Sequence, residues 1–169
     1  DDVCDDVDDC VGAYDECNVC NGTGPQEGFN CAGEALINVT FNVDMSTFTV
    51  DTAGYGLDLL VVDQFGVGQN GWHDLTDDDG DDVWSVTVSL VGNATYQYKF
   101  KNGDDWDNVD NQDCAVESGG FWNRTVTLED YDVSLATVCF KSCTACPTCS
   151  DGTQNGDETG VDCGGSCAD

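Results

Sequence analysis

The middle of the chain, roughly residues 35 to 141, alternates apolar and polar side chains with the two-residue period of half-buried β-strands. In the run Leu36–Val43, every second residue from Ile37 onward is apolar, and the residues between them are Asn or Thr. The same period predicts further strands at Trp84–Leu90, Tyr96–Lys101, Trp122–Leu128 and Val133–Phe140, and a more continuously apolar, central strand at Leu57–Val62.

Turn residues separate these runs. Gly, Asn and Asp cluster between them, as at Asp77–Asp81 and at Asn102-Gly103, and no stretch keeps a helical period. About seven short antiparallel strands at this spacing are typical of an immunoglobulin-like β-sandwich. We therefore predict an all-β fold.

Cysteine positions divide the chain into three parts, which we delimit as an acidic Cys/Gly-rich head (1–34), the β-sandwich (35–141) and an acidic Cys-rich tail (142–169). Head and tail have too few apolar residues for a core of their own, so disulfides must hold these mostly irregular segments. The cysteines are Cys4, Cys10, Cys17, Cys20 and Cys31 in the head, Cys114 and Cys139 in the sandwich, and Cys143, Cys146, Cys149, Cys163 and Cys167 in the tail.

Twelve cysteines in 169 residues indicate an oxidising, extracellular compartment. The spacing Cys17-X-X-Cys20 also suits zinc or redox chemistry, but the chain has one histidine, His73, and disulfides are the preferred interpretation. Asn-X-Ser/Thr sequons, which agree with secretion, begin at Asn21, Asn38, Asn93 and Asn123. The chain opens directly at Asp1 in acidic sequence, so we expect a processed form or a window of a longer protein.

The net charge of the chain excludes some classes of binding partner. With 4 Lys plus Arg against 34 Asp plus Glu, the formal net charge is -30, which repels nucleic acids and anionic membranes and favours calcium. No apolar run is long enough to span a membrane. No catalytic motif joins a nucleophile to a histidine, binds phosphate or pairs two histidines, so we expect no enzyme.

One segment of the chain begins at Gly71-Trp72, continues through the acidic turn at residues 77–82 and the strand Tyr96-Gln-Tyr-Lys-Phe-Lys101, and ends at Trp106. This segment resembles a family of carbohydrate-binding modules. The family is the early-set, starch- and glycogen-binding type. The likeness covers roughly residues 35 to 140 and is closest to tandem modules of large secreted proteins of aquatic microbes. Those modules begin with a motif similar to Val39-Thr-Phe-Asn-Val-Asp-Met45 and end with one similar to Val138-Cys-Phe140.

The resemblance implies a glycan-binding site made of Trp72, Lys99, Trp106 and Asn123. In the family, sugars stack on exposed Trp faces, and a Lys and an Asn hold the hydroxyls. Asn123 departs from the pattern because it also begins a sequon, and a glycosylated Asn123 could not hold a ligand. The alternative is that both Trp side chains only cover the edge of the sandwich.

The acidic ends are candidates for calcium. The head resembles the end of a thrombospondin type 3 repeat, which implies calcium on Asp5, Asp6, Asp8 and Asp9, although half of the usual motif is missing. The tail is similar to a short cysteine motif of modular surface proteins, and its Asp151, Asn155, Asp157 and Asp162 form a second candidate site. The turn Asp77–Asp81 is a weaker one, since it lacks the Glu of a full EF-type loop. In each case solvated turn residues are the alternative.

If Cys114 pairs with Cys139, head and tail are left with five cysteines each, and at least one bridge must join head to tail, either within a chain or between neighbouring copies. If the tail of one copy is placed directly before the head of the next, the two sequences form a continuous acidic, Cys-rich junction. We therefore predict an extracellular structural module, a glycosylated unit that contacts copies of itself head to tail in a filament, appendage or matrix. The alternative is an adhesion module of a larger secreted protein that binds glucan-type glycans.

Overall fold

The computed structural model describes residues 10, 12–52, 54, 56–63, 71–150, 152–154 and 158–164. These residues form ten strands and contain no helix. The strands are β1 (Leu36–Asp44), β2 (Leu57–Asp63), β3 (Trp72–Asp74), β4 (Val83–Val91), β5 (Thr95–Asn102), β6 (Asp105–Trp106), β7 (Ala115–Ser118), β8 (Phe121–Thr127), β9 (Val133–Ser134) and β10 (Val138–Cys139).

The strands form two sheets. The first has the order β10-β1-β4, with β9 also paired to β1, and the second has the order β3-β2-β5-β8-β7, with β6 paired to β5. The pairings in the second sheet are all antiparallel. The predicted all-β sandwich is thereby confirmed.

The core lies between the sheets and follows the predicted alternation. On β1, Ile37, Val39, Phe41 and Val43 are all at most 4% exposed, whereas Asn38 between them is exposed. Leu57, Leu59 and Val61 of β2 and Phe100 of β5 meet them from the other sheet. Because side chains alternate between the two faces of a strand, the buried positions of the second sheet also determine which side chains face outward.

The last predicted strand differs from the structure. The run Val133–Phe140 is not continuous: it divides into the two short strands β9 and β10, and both pair with β1 in parallel. Asn42 lies on β1 between the positions that pair with β9 and those that pair with β10. Its side-chain amide donates hydrogen bonds to Ser134 Oγ and to the Leu135 carbonyl oxygen. The short strands β3, β6 and β7 carry no periodic signal, because two to four residues are too few to show one.

The disulfides correct the pairing assumed for the sandwich. Cys114 is bonded to Cys143 and Cys139 to Cys146, so a bridge between Cys114 and Cys139 is wrong. The first part of the tail is therefore attached to the sandwich by two bridges. In the head, Cys10 pairs with Cys20 and Cys17 with Cys31; Cys149 is also disulfide-bonded, and Cys163 is free.

Several predicted positions lie outside the described residues. These are Cys4, Cys167, Asp5, Asp6, Asp8, Asp9, Asp151, Asn155 and Asp157. Across the part of the chain that the structure describes, no helix has the length and apolar character that would let it span a membrane.

Candidate functional site

The register of the second sheet builds one outward face. Leu60 on β2 lies opposite Trp72 of β3 on one side and opposite Lys99 of β5 on the other. One step along, Asp58 lies opposite Asp74 and Lys101. Side chains directly opposite each other in antiparallel strands share a face. These six residues therefore form a compact outward-facing group.

A tight hairpin adds Trp106 to this face. Asn102 pairs with Asp105 and Lys101 with Trp106, which leaves Gly103 at the first position of a two-residue loop with φ 57°. Hairpin loops of this length favour Gly at such a position. A Cβ at Gly103 would also lie 2.2 Å from a carboxylate oxygen of Asp51, so glycine is required for close approach as well as for conformation.

The two tryptophans contact each other. The ring centroids of Trp72 and Trp106 are 5.5 Å apart with an interplanar angle of 47°, and Trp72 is 50% exposed. The Lys101 ammonium lies 5.7 Å from the Trp72 centroid and 5.5 Å from that of Trp106. The rings thus form a partly exposed aromatic platform held against cationic side chains.

A cavity of about 470 Å³ opens beside Trp106. Apolar side chains and a few polar ones line it together, among them Leu60, Val62, Gln97, Lys99, Phe121 and Asn123. An apolar cavity with a small number of convergent polar groups is the usual form of a small-ligand site.

Lys99 is a charged residue of this site that is buried rather than exposed. It faces outward on β5 yet is only 7% exposed. Its ammonium donates a hydrogen bond to the Trp122 carbonyl oxygen at 2.8 Å and lies 5.8 Å from the Trp106 centroid. The Asn123 amide donates to Gln97 Oε1 at 3.0 Å. Both polar groups are therefore held in place before any ligand arrives.

A buried ion pair lies directly behind the site. Asp107 follows Trp106, Arg124 follows Asn123, and both are fully buried. Arg124 Nε donates to Asp107 Oδ2 at 2.7 Å and Arg124 Nη2 to Oδ1 at 3.0 Å. This two-point pairing ties the segment that carries Trp106 to the strand that carries Asn123.

All four residues implied by the family resemblance come together here. Trp72 and Trp106 are in ring contact, and Lys99, Trp106 and Asn123 line one cavity. Two residues that line the cavity, Gln97 and Phe121, were not predicted from the sequence. The two-residue period from Lys99 would have placed Gln97 on the same face, whereas the hairpin position of Phe121 carries no such signal.

The sequons fall in different environments. Asn21, Asn38 and Asn93 are exposed, and Asn93 lies in the turn between β4 and β5. Asn123 is only partly exposed, and its amide nitrogen, the atom that a glycosyltransferase modifies, is hydrogen-bonded to Gln97. Glycosylation at the first three sites stays a prediction, while the position of Asn123 favours its role as a lining residue.

The acidic candidates differ in their contacts. In the turn before β4, carboxylate oxygens of Asp77, Asp79 and Asp81 lie within 4.8 Å of one another, a group that could hold a cation. Repulsion from Asp81 raises the pKa of the Asp79 carboxyl. In the tail, the Asp162 carboxylate accepts a hydrogen bond from the Gly152 amide, which gives it a role in closing that loop.

No family model and no curated protein matches the chain. Among solved structures, the glycoside hydrolase family 15 glucoamylase from Hypocrea jecorina is similar at 18% sequence identity with a TM-score of 0.38. The likeness covers 63% of this chain and 17% of the glucoamylase chain. At that TM-score the likeness says nothing about function.

Proposed function

We propose that this chain is a non-catalytic, extracellular module that binds neutral glucan-type glycans. The observation that carries the proposal is the contact between the exposed Trp72 and the half-buried Trp106 beside a cavity lined by Lys99 and Asn123. A pyranose ring has an apolar C–H face, which stacks on an aromatic ring, and a rim of hydroxyls, which need donors and acceptors. The platform and the cavity offer both.

Charge supports a neutral ligand. The net charge of -30 repels polysaccharides that carry carboxylates or sulfates. Two of the four Lys and Arg residues, Lys99 and Lys101, lie at the aromatic platform. Because both contact tryptophan rings, they are placed to meet hydroxyl oxygens rather than to attract an anion from a distance.

The disulfide-rich sandwich supports the extracellular location. Four bridges between described cysteines need an oxidising compartment to form and persist. Glycosylation at the exposed sequons belongs to the same proposal.

Titration with soluble α-glucans tests the function. Intrinsic tryptophan fluorescence of the wild-type protein should shift, and Trp106→Ala should weaken binding by about ten-fold or more, as for a buried aromatic anchor. Tyr131→Ala is the matched control, since Tyr131 is an aromatic residue 61% exposed outside the site. A flat titration with starch-derived and other cell-wall glycans would contradict the proposal.

A structural role in a head-to-tail array is the second candidate, and the cysteine count of the head favours it. The head has five cysteines, and the two bridges Cys10–Cys20 and Cys17–Cys31 use four of them. An odd number requires a partner outside the head if every head cysteine is oxidised. Electron microscopy beside non-reducing electrophoresis tests this role: filaments or covalent multimers support it, and a discrete monomer near 18.0 kDa contradicts it.

A further inference from the structure

The outward face continues past the tryptophan pair into a second cavity. This depression of about 410 Å³ is lined by Asp58, Trp72, Asp74 and Lys101. Trp72 stands between the two cavities, because it lines this one while its ring contacts Trp106, which lines the other. A ligand stacked on the aromatic platform therefore has a cavity within reach on each side.

Asp58 is the unusual member of this second group. It is only 8% exposed, yet it lines the cavity. Its neighbours across the strands are a second carboxylate, Asp74, which is within hydrogen-bonding reach, and Lys101. A largely buried carboxylate beside a second carboxylate is unfavourable unless the two share a proton or a hydroxyl group from outside the chain donates to one of them.

The ionisation of Asp58 agrees with this picture. Burial raises the pKa of its carboxyl, the neighbouring Asp74 raises it further, and Lys101 opposes both. These are the charged groups that face Asp58 from β3 and β5. A carboxylate that is poorly solvated in this way gains more than an exposed one from a hydroxyl donor.

We propose that Asp58 and Asp74 form a second sugar subsite, which accepts hydrogen bonds from the hydroxyls of a ring beyond the two that stack on Trp106 and Trp72. The inference rests on the proposed glycan binding. From Asn123 on β8 to Asp74 on β3 the sheet spans three strand spacings, about 14 Å, which is longer than one pyranose ring. The ligand is therefore an oligosaccharide that runs across the strands.

Calorimetric titration with a disaccharide and a heptasaccharide of the same α-glucan tests the subsite. Asp74→Ala and Asp58→Asn should each weaken heptasaccharide binding by about ten-fold, the value of one hydrogen bond to a charged group, and leave disaccharide binding within about two-fold of wild type. Asp104→Ala is the matched control, because Asp104 is a fully exposed acid 3.7 Å from the Lys101 ammonium. It should leave both affinities unchanged.

The pH dependence of heptasaccharide binding is an independent test of the subsite. Protonation removes acceptor oxygens, so wild-type affinity for the heptasaccharide should fall as the pH is lowered into the range of the raised pKa of Asp58. The Asp58→Asn variant should lose that dependence. Asp74 is exposed, so Asp74→Ala keeps the test valid if the change at Asp58 disturbs folding.

The outcomes separate the two proposals. If the wild-type protein binds both sugars and the two Asp variants match it at both lengths, the subsite is wrong and glycan binding stands. If the variants weaken both sugars equally, the two acids do not form a separate subsite. If the wild-type protein binds neither sugar nor any other glycan tested, both proposals fail.

Discussion

Replacing Asp107 by Ala should destabilise the protein strongly. Asp107 and Arg124 are both fully buried, and Asp107 accepts hydrogen bonds from Arg124 Nε, Arg124 Nη2 and the Lys141 amide. The substitution leaves the guanidinium buried without its counter-ion. Removing one partner of a buried pair typically costs about 3–5 kcal/mol.

The remaining contacts of Arg124 place the expected loss at the lower end of that range. Its Nη2 still reaches the Cys139 carbonyl at 3.4 Å, and its guanidinium lies 5.6 Å from the Phe100 ring centroid. We therefore expect a loss of about 3 kcal/mol, a large part of the 5–15 kcal/mol that is typical of a folded domain.

Urea unfolding at neutral pH without reductant measures this loss. Asp105→Ala is the matched control, because the Asp105–Lys141 pair is partly exposed, at 54% and 32%, and such pairs contribute at most about 1 kcal/mol. The double variant Asp107→Leu with Arg124→Met removes both charges and should regain most of the stability. A loss for Asp107→Ala no larger than that for Asp105→Ala would show that leaving Arg124 without its buried counter-ion does not destabilise the fold as expected.

Three further predictions follow from single positions. Asp58→Asn should stabilise the fold at pH 7, because burial raises the pKa of this carboxyl and its ionised form is unfavourable in the folded state. The gain in stability over wild type should shrink as the pH falls. Equal melting temperatures of the variant and the wild-type protein at pH 7 would contradict this prediction. Mass spectrometry of secreted protein should find glycans on Asn93 and none on Asn123, where the amide donates to Gln97. Chelation of calcium should lower the melting temperature, because a bound cation would offset the charge repulsion among acids such as Asp79 and its removal would restore that repulsion; an unchanged melting curve would rule out structural calcium.

The strand faces were predictable because they depend on local order alone. The two-residue period placed Val39 inward and Asn38 outward, and the structure agrees. The site residues were predicted only from the family resemblance, and the structure places two of them, Lys99 and Trp106, on neighbouring strands of one hairpin. A short loop requires its two flanking strands to pair, so hairpin neighbours can be inferred without the fold.

The disulfide pairing was not predictable in this way. Cys139 bonds to Cys146, seven residues away, and Cys114 bonds to Cys143. The assumed pairing joined the two cysteines of the sandwich to each other. Several partners are close enough in sequence for each cysteine, and only the path of the chain after β10 decides between them.

Local patterns in the chain were enough to predict the all-β class, the inward and outward faces of the long strands, and the presence of an aromatic and basic motif. The tertiary structure alone decided that Lys99 is buried, that Asp58 lies opposite Asp74, and that Asp107 meets Arg124 behind the site. The physical reason is that alternation along a strand is set by its own backbone geometry, whereas burial and pairing depend on which distant strands become neighbours.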